Sequence, residues 1–480
     1  MVHNRVIRSR LMAVGAVASI VLSACSAGSP TASAPTVTTR VTVGASPQVG
    51  STSAHPAVTP RVGSTGASGS ASPSASGSSS AETTPSLGAS ASSSSGPSNS
   101  VSSNPGSSAS SATKPATPTI APAGIVTEPR DGATNVSPIV PVVVRAENGK
   151  LTEVAMTNPE GREVAGKLSP DQTKWTSTEV LGYGRGYKIT ATANGSDEQR
   201  IDSAFTTLKP RQTIFPSFFP SPQMKTIGVG QPMVVIFDKP PVDRAAAEKT
   251  LTVTTVPAVK GAWYWWDNRT LHYRPQSYWK PGTKITVSAN VYGVNLGGNA
   301  YGETDRTLKV TVGPSKIAKI DDATKKMQVY IDGKLVRTVP VSMGMDKSTV
   351  VKGKKISFVT PSGTYVAQEK YPVKQMSSAT YGLPTSYDLG YDKAIPLAVR
   401  ISGEGIFVHS APWSVADQGV RNVSHGCINI SPDAAKWFYK TFSFGDIVQV
   451  TGTSTKLAPT DGFGDWNIPW EQWQTGSALS

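Results

Sequence analysis

Cysteine is nearly absent from this chain. Two occur in 480 residues, Cys25 and Cys427, too few for a disulfide framework to staple the fold. Metal frameworks are missing as well: there are five histidines but no Cys-x-x-Cys and no His-x-x-x-His pair, the spacings that structural zinc sites favour. Charge is sparse at 16%, so the surface relies on Ser, Thr, Asn and Gly. Basic residues outnumber acidic ones, 46 to 32, for a net charge of +14. No Lys/Arg run or recognition-helix pattern accompanies that excess, which argues against a nucleic-acid partner. A diffuse positive charge suits anionic wall polymers or membrane head groups better. Long apolar runs are also lacking. The one candidate, Leu11–Leu22, falls short of the roughly 20 residues that a membrane-spanning helix needs.

That short run lies behind Arg5, Arg8 and Arg10 and ends in Leu22-Ser23-Ala24-Cys25. A positive segment followed by a short apolar one is the pattern of an export signal. The ending resembles the bacterial lipoprotein cleavage box, which implies that 1–24 is removed and that Cys25 is lipidated and anchors the chain on the outer face of the cell membrane. The other reading is an ordinary secretory signal that happens to contain a cysteine. Residues 25–122 are almost wholly Ser, Ala, Gly, Thr and Pro after Cys25, without the apolar content that offsets ordering entropy. This stretch is expected to be a disordered tether. A coil of roughly 95 such residues has an r.m.s. reach of about 50–60 Å, far enough to sample cell wall beyond the membrane.

Two similar blocks follow, at about 123–209 and 210–314. The first holds Ile139–Arg145, Trp175 and Gly186–Asn194; the second holds Pro232–Asp238, Leu271–Arg274 and Gly282–Asn290. Short β-branched runs punctuated by Gly, Pro, Asn and Asp predict immunoglobulin-like β-sandwiches. The shared Gly-x-Lys-Ile-Thr-x-x-Ala-Asn segment points to duplication of one module. Trp263-Tyr264-Trp265-Trp266 with Tyr273, Tyr278 and Trp279 could line a glycan-stacking face, but core and interdomain packing is the favoured reading.

A third domain, 315–452, carries the chemistry. Asp332-Gly333 between alternating apolar residues predicts a hairpin with a type I′ turn. Phe358–Val366 reads as a turn between strands, and Gly405–His409 as a strand. Ser431 and Pro432 have the chemistry of an N-cap and first helical residue, and Asp446–Val450 reads as the last strand. Residues 453–480 form a Trp-rich tail, expected to strap this domain to its neighbour. The fold class is mainly β, with one short helix after Cys427.

Cys427 stands in Ser424-His425-Gly426-Cys427-Ile428-Asn429, with His409 upstream. The residues alone leave three readings open. A lone cysteine can be a buried apolar residue. His409, His425 and Cys427 could form a zinc set. A thiol beside an imidazole can also be an acyl-transfer nucleophile with its base, the preceding glycine letting backbone N–H groups approach the reacting oxygen.

The run from His409 to Asn429 resembles the signature of the L,D-transpeptidases, cysteine enzymes that cross-link peptidoglycan. The resemblance extends to Met376–Pro384 and to Asp461–Trp473, as in lipid-anchored members that carry immunoglobulin-like domains. It implies that Cys427 is the nucleophile and His409 the general base, oriented by the carbonyl of Ser410 rather than by Asp417 or Glu404. His425, Gly426 and Cys427 would supply oxyanion N–H groups. Tyr391, Glu404, Gly405 and Asn429 resemble substrate contacts; Met376, Tyr381 and Trp413 resemble lid and pocket wall. The implied partners are a tetrapeptide stem as donor and the amine of a second stem as acceptor, with carbapenems as covalent inhibitors. No cofactor and no metal are implied. An acid at position 404 is expected to favour a stem with an amine nearby. Hydrolysis of the same acyl-enzyme, or wall binding without catalysis, are the rival functions.

Overall fold

The repeated Gly-x-Lys-Ile-Thr segment is a strand in both blocks, Gly186–Asn194 and Lys284–Ala289, and each lies inside a sheet rather than at its edge. The computed structural model describes residues 121–480. The signal segment, Cys25 and the tether through residue 120 lie outside the described residues. In the first block Gly186–Asn194 pairs with Lys150–Thr157 and Glu198–Thr206. A four-stranded sheet lies opposite, and Val144, Leu151, Met156, Trp175, Ile189 and Phe205 fill the space between them. The sequence places a strand over Ile139–Arg145, but the strand is Val143–Glu147. Pro138 and Pro141 precede it, and proline has no N–H to give a ladder. Ile139 instead packs against Gly293 of the second block.

The second block is a sandwich of two four-stranded sheets. Trp263, Trp265, Tyr273 and Trp279 are buried in its core, so the aromatic run is packing rather than a glycan platform. Tyr183 of the first block locks onto the second: its hydroxyl donates to the Gly302 carbonyl and accepts from the Gly293 N–H, both at 2.7 Å.

The third domain is built on two sheets. In the first, Lys316–Asp321 runs parallel to Ile447–Thr451 at the centre, and the hairpin Lys326–Ile331/Lys334–Pro340 flanks it. Asp332 and Gly333 have φ of 49° and 80°, the two positive values that a type I′ turn requires. The second sheet runs in the order Lys370–Ser377, Asp392–Arg400, Phe407–Ser410, Ile428–Ile430. Helix Pro432–Thr441 follows, its first turn closed by Ser431 Oγ accepting from the Ala434 N–H. Its buried Ala434, Ala435 and Phe438 pack with Val408, Ile428 and Ile430.

The second and third domains share one core, since Val366 and Ile447 pack with the second sandwich. Their backbones also meet. The Gly228 N–H donates to Phe444 O at 2.7 Å and that of Gly230 to Gly445 O at 2.8 Å. A Cβ on Gly228 would lie 2.1 Å from the Gly445 carbonyl carbon, so only glycine permits that approach.

The tail fastens the same joint. Arg274 is buried, with its guanidinium 4.9, 5.4 and 4.4 Å from the ring centres of Trp466, Trp470 and Trp473. Cation–π contacts strengthen when the cation is desolvated. His272 bonds Asp465 at 2.7 Å, and Trp473 stacks on Tyr264. Asn467 exchanges two 2.8 Å bonds with the backbone of Thr364, satisfying part of an exposed sheet edge. Trp473→Ala is expected to cost about 3–5 kcal/mol, as for other fully buried tryptophans. The exposed neighbour Gln472→Ala should stay within about 0.5 kcal/mol. Urea unfolding followed by tryptophan fluorescence checks both.

Candidate active site

Phe407–Ser410 and Ile428–Ile430 run parallel, with His409 opposite Asn429. Paired residues of neighbouring strands project to one face, and alternate residues share it. His409 and Asn429 therefore lie on one side, with Cys427 two residues before Asn429 on that same side. Val408, Ile428 and Ile430 point into the core. His409, Cys427 and Asn429 line a single cavity of about 120 Å³ with Met376, Tyr391, Lys393, Ile395, Trp413, Val423, Ser424 and His425.

The tautomer of His409 is fixed by its neighbour. Nδ1 lies 3.0 Å from the carbonyl oxygen of Ser410, which can only accept, so Nδ1 carries the hydrogen and Nε2 holds a free lone pair. Asp417 is engaged elsewhere, bonded to Arg421 at 2.5 Å. Burial, only partly offset by the Ser410 carbonyl, lowers the pKa of His409 to about 4. The Cys427 thiol opens to the cavity on one side, with protein around the rest, and its pKa is pushed up to about 11 despite the Phe407 N–H. At rest the sulfur donates weakly to the Gly405 carbonyl at 3.8 Å. The resting pair is thus neutral thiol and neutral imidazole.

The turn that presents the sulfur is braced from both sides. Gly426 has φ of +130°, a conformation side chains avoid. Thr360 Oγ1 donates to the Gly426 carbonyl at 2.7 Å, and Ser424 Oγ donates to that of Cys427 at 2.6 Å. The Gly426 N–H donates to Ser424 Oγ at 3.1 Å. That hydrogen bond corrects the expectation that Gly426 is an oxyanion donor. Among the described residues, the N–H groups of His425 and Cys427 make no hydrogen bond. Thr360 and Ser424 carry no motif of their own as braces, and the sequence reading misses them.

The His425 ring is half-buried, 4.9 Å edge-on to Phe358 and 5.1 Å from Tyr391. Burial lowers its pKa, the Leu389 carbonyl opposes that, and the Lys393 ammonium lowers it further. Among the described residues no three His, Cys, Asp or Glu side chains come together in a metal-binding group.

The remaining expected residues divide between two spaces. Trp413 and Asn429 line only the small cavity, where Trp413 is 52% exposed and its ring lies 6.0 Å from that of His409. Asn429 Nδ2 donates to Ser414 Oγ at 3.1 Å, and its buried Oδ1 has no partner. Tyr381, Glu404 and Gly405 line a second groove of about 760 Å³, rimmed by Lys354, Lys355, Lys374 and Lys456. Glu404 is held there by its N–H, which donates to Asp461 at 2.8 Å. Met376, Tyr391, His425 and Cys427 border both spaces. The sulfur sits at their junction, and His409 faces only the smaller one.

Residues 315–450 match the L,D-transpeptidase catalytic domain, and residues 133–295 match a bacterial Ig domain, a span that crosses both sandwiches. L,D-transpeptidase 2 of Mycobacterium tuberculosis (strain CDC 1551 / Oshkosh) is 43% identical over 350 residues, covering 72% of this chain and 83% of that protein. L,D-transpeptidase 5 of M. tuberculosis (strain ATCC 25618 / H37Rv) is 36% identical over 358 residues, covering 73% and 76%. A solved L,D-transpeptidase from Mycobacterium smegmatis is 34% identical with a TM-score of 0.39, covering 48% of this chain and 94% of that one.

A thiol raised to about 11 has roughly a hundredfold less thiolate at neutral pH than an ordinary cysteine, since each pKa unit is a factor of ten. Alkylation of Cys427 by iodoacetamide should therefore be slow at pH 7.5 and climb steadily toward pH 11. His409→Gln should leave that pH profile in place, because a neutral imidazole lends the resting sulfur no charge. A plateau beginning near pH 5 would instead mark a thiolate–imidazolium pair.

Proposed function

Because the chain belongs to the L,D-transpeptidase family, we propose that it cross-links peptidoglycan stems through an acyl-enzyme on Cys427, with His409 as general base. The observation that carries this reading is the shared sheet face. It sets a base with its lone pair free and a lone thiol on one cavity, beside a groove large enough for a peptide.

In the first half-reaction, Cys427 Sγ attacks the carbonyl between the third and fourth residues of a tetrapeptide stem. His409 Nε2 takes the thiol proton as the C–S bond forms, and the N–H groups of His425 and Cys427 receive the developing oxyanion. The imidazolium then gives its proton to the departing amine as the C–N bond breaks, releasing D-alanine. In the second half-reaction the amine of another stem attacks the thioester. A C–N bond forms, the C–S bond breaks, and the amine proton passes through Nε2 to the sulfur. That His409 faces only the small cavity supports an acceptor amine arriving from that side, with the donor stem in the larger groove.

Burial makes a lone His409 imidazolium costly, but in the reacting pair it forms beside a sulfur losing its proton. Opposite charges brought together in a poorly solvated cavity attract far more strongly than in water. The base is therefore weak at rest and effective during transfer.

The export signal and the cleavage-box ending at Cys25 support attachment to the outer face of the cell membrane. Lipid at Cys25, the tether and the two sandwiches would set the catalytic domain within the wall. Cys25→Ala is expected to shift the protein from the membrane pellet to the soluble fraction of fractionated cells.

Purified full-length protein with a tetrapeptide stem should release D-alanine and yield a cross-linked dimer by mass spectrometry. Cys427→Ala should abolish both products and block covalent labelling by a carbapenem. His409→Gln should lower turnover by about 10²–10⁴-fold, the usual contribution of a general base. Tripeptide accumulating without dimer would identify a hydrolase instead.

A further inference from the structure

The two N–H groups assigned to the oxyanion belong to peptides whose carbonyls are tied down. The Ser424 carbonyl accepts from the Met345 N–H at 2.9 Å, and the Gly426 carbonyl accepts from Thr360 Oγ1 at 2.7 Å. In a trans peptide the C=O and N–H point in opposite directions. Each of these bonds therefore also fixes where the next residue's N–H is aimed. For His425 the tie is backbone alone. For Cys427 it is one side chain.

Thr360 is fully buried, and it does not border the groove that Gly426 and Cys427 line. Its hydroxyl has two partners, and their chemistry gives each bond its direction. The Gly344 N–H can only donate, at 2.8 Å, and the Gly426 carbonyl can only accept, so the hydroxyl hydrogen points at Gly426. Gly344 comes this close because it has no side chain: a Cβ there would lie 1.9 Å from the Phe358 carbonyl oxygen.

The Gly426–Cys427 peptide depends on this restraint more than its neighbours do. Ser424 Oγ holds the peptide before it through the Gly426 N–H, and the peptide after it through the Cys427 carbonyl. Among the described residues, Thr360 is the sole hydrogen-bond partner of the plane between them. Gly426, at φ of +130°, has no Cβ to oppose rotation of that plane. We infer that Thr360 is a positioning residue for acyl transfer, its hydroxyl keeping the Cys427 N–H turned outward to meet the oxyanion. This rests on the acyl-transfer reading and assigns the restraint on one of its oxyanion donors. The bonds also form a chain, from the Gly344 N–H through the Thr360 hydroxyl to the Gly426 carbonyl, in which each polarises the next. That polarisation makes the Cys427 N–H a stronger donor to the charge developing on the substrate oxygen.

The test uses full-length protein and compares two reactions of the same sulfur. Acylation of Cys427 by a tetrapeptide stem builds an oxyanion, whereas alkylation by iodoacetamide displaces iodide and builds none. Thr360→Val removes the hydroxyl and keeps a β-branched side chain. It is expected to lower the limiting rate of acylation, read by mass spectrometry at saturating stem, about 10–100-fold, less than the roughly 10²–10³ that loss of a whole oxyanion donor costs. The stem concentration for half-maximal rate should change less than about twofold, since the interaction belongs to the transition state. Alkylation at fixed pH should also stay within about twofold, because no oxyanion forms. Thr360→Ser, which keeps the hydroxyl, should recover most of the lost acylation rate. Urea unfolding verifies that each variant is native, and Thr360→Ala replaces Thr360→Val if the latter is not.

A parallel fall in alkylation would show that Thr360 merely places the sulfur, and a weaker half-maximal concentration with the limiting rate intact would show that it shapes the groove. Either result overturns the inference, as does full acylation by a folded variant without the hydroxyl. Unfolding of both Val and Ala variants while Thr360→Ser folds would assign the hydroxyl to stability and overturn it too. Wild-type protein that is alkylated yet never acylated would instead sink the acyl-transfer reading, and this inference with it.

Discussion

The parallel pairing of Phe407–Ser410 with Ile428–Ile430 is the constraint on which the site depends. Two short strands, Phe407–Ser410 and Ile428–Ile430, bring His409 level with Asn429. A slip of one residue would turn the imidazole and the thiol to opposite faces, because side chains alternate along a strand. The register is held from behind, where Val408, Ile428 and Ile430 are fully buried against the helix that follows. From the side, the Asn429 N–H donates to Ser342 O at 2.8 Å and the Ser342 N–H returns a bond to Asn429 O at 3.0 Å. The chemistry is thus positioned by ordinary apolar packing on the opposite side of the sheet.

The rest of the described chain gives this pair a rigid mount. Second sandwich and catalytic domain are continuous through Val366 and Ile447, and the tail wraps the joint with Trp466, Trp470 and Trp473 around Arg274. A buried guanidinium is costly unless its donors are met. Here Nη1 and Nη2 reach the carbonyls of Pro275 and Ile468, at 3.2 and 2.7 Å, indole faces cover the group, and the buried Nε is left without a partner. Such a joint resists bending more than a bare linker would. The grooves around Cys427 are thus carried on the second sandwich through a packed joint.

Local chemistry made part of this legible in advance. Asp332-Gly333 dictates its turn, and Ser431-Pro432 starts its helix, because each outcome is decided within a few residues. The Ser-His-Gly-Cys run was likewise readable as a nucleophile site. Long-range arrangements were not. Nothing near Arg274 announces that indoles almost two hundred positions later will cover it. Ile139–Pro141 has the composition of a strand, but prolines and a contact with the next domain keep it out. The commitment of the Gly426 N–H to Ser424 follows from the twist of one glycine, which spacing does not encode. The division of the expected substrate residues into two spaces depends on strand order, visible only once the sheet is assembled.

That division also explains why so buried a thiol suits its task. A thiolate held permanently beside an open groove would be open to oxidation, since thiolate character governs such damage. With the thiol raised to about 11 and the imidazole lowered to about 4, both are neutral at pH 7. In the proposed reaction the proton moves as the C–S bond forms and the oxyanion meets its donors. On that reading, activation belongs to the complex rather than to the free protein. Because His409 faces one space alone, the proposed reaction would have the same imidazole start acylation and meet the second substrate from that side. In the reaction proposed, this geometry would bring a peptide from the wide side and then an amine from the narrow one.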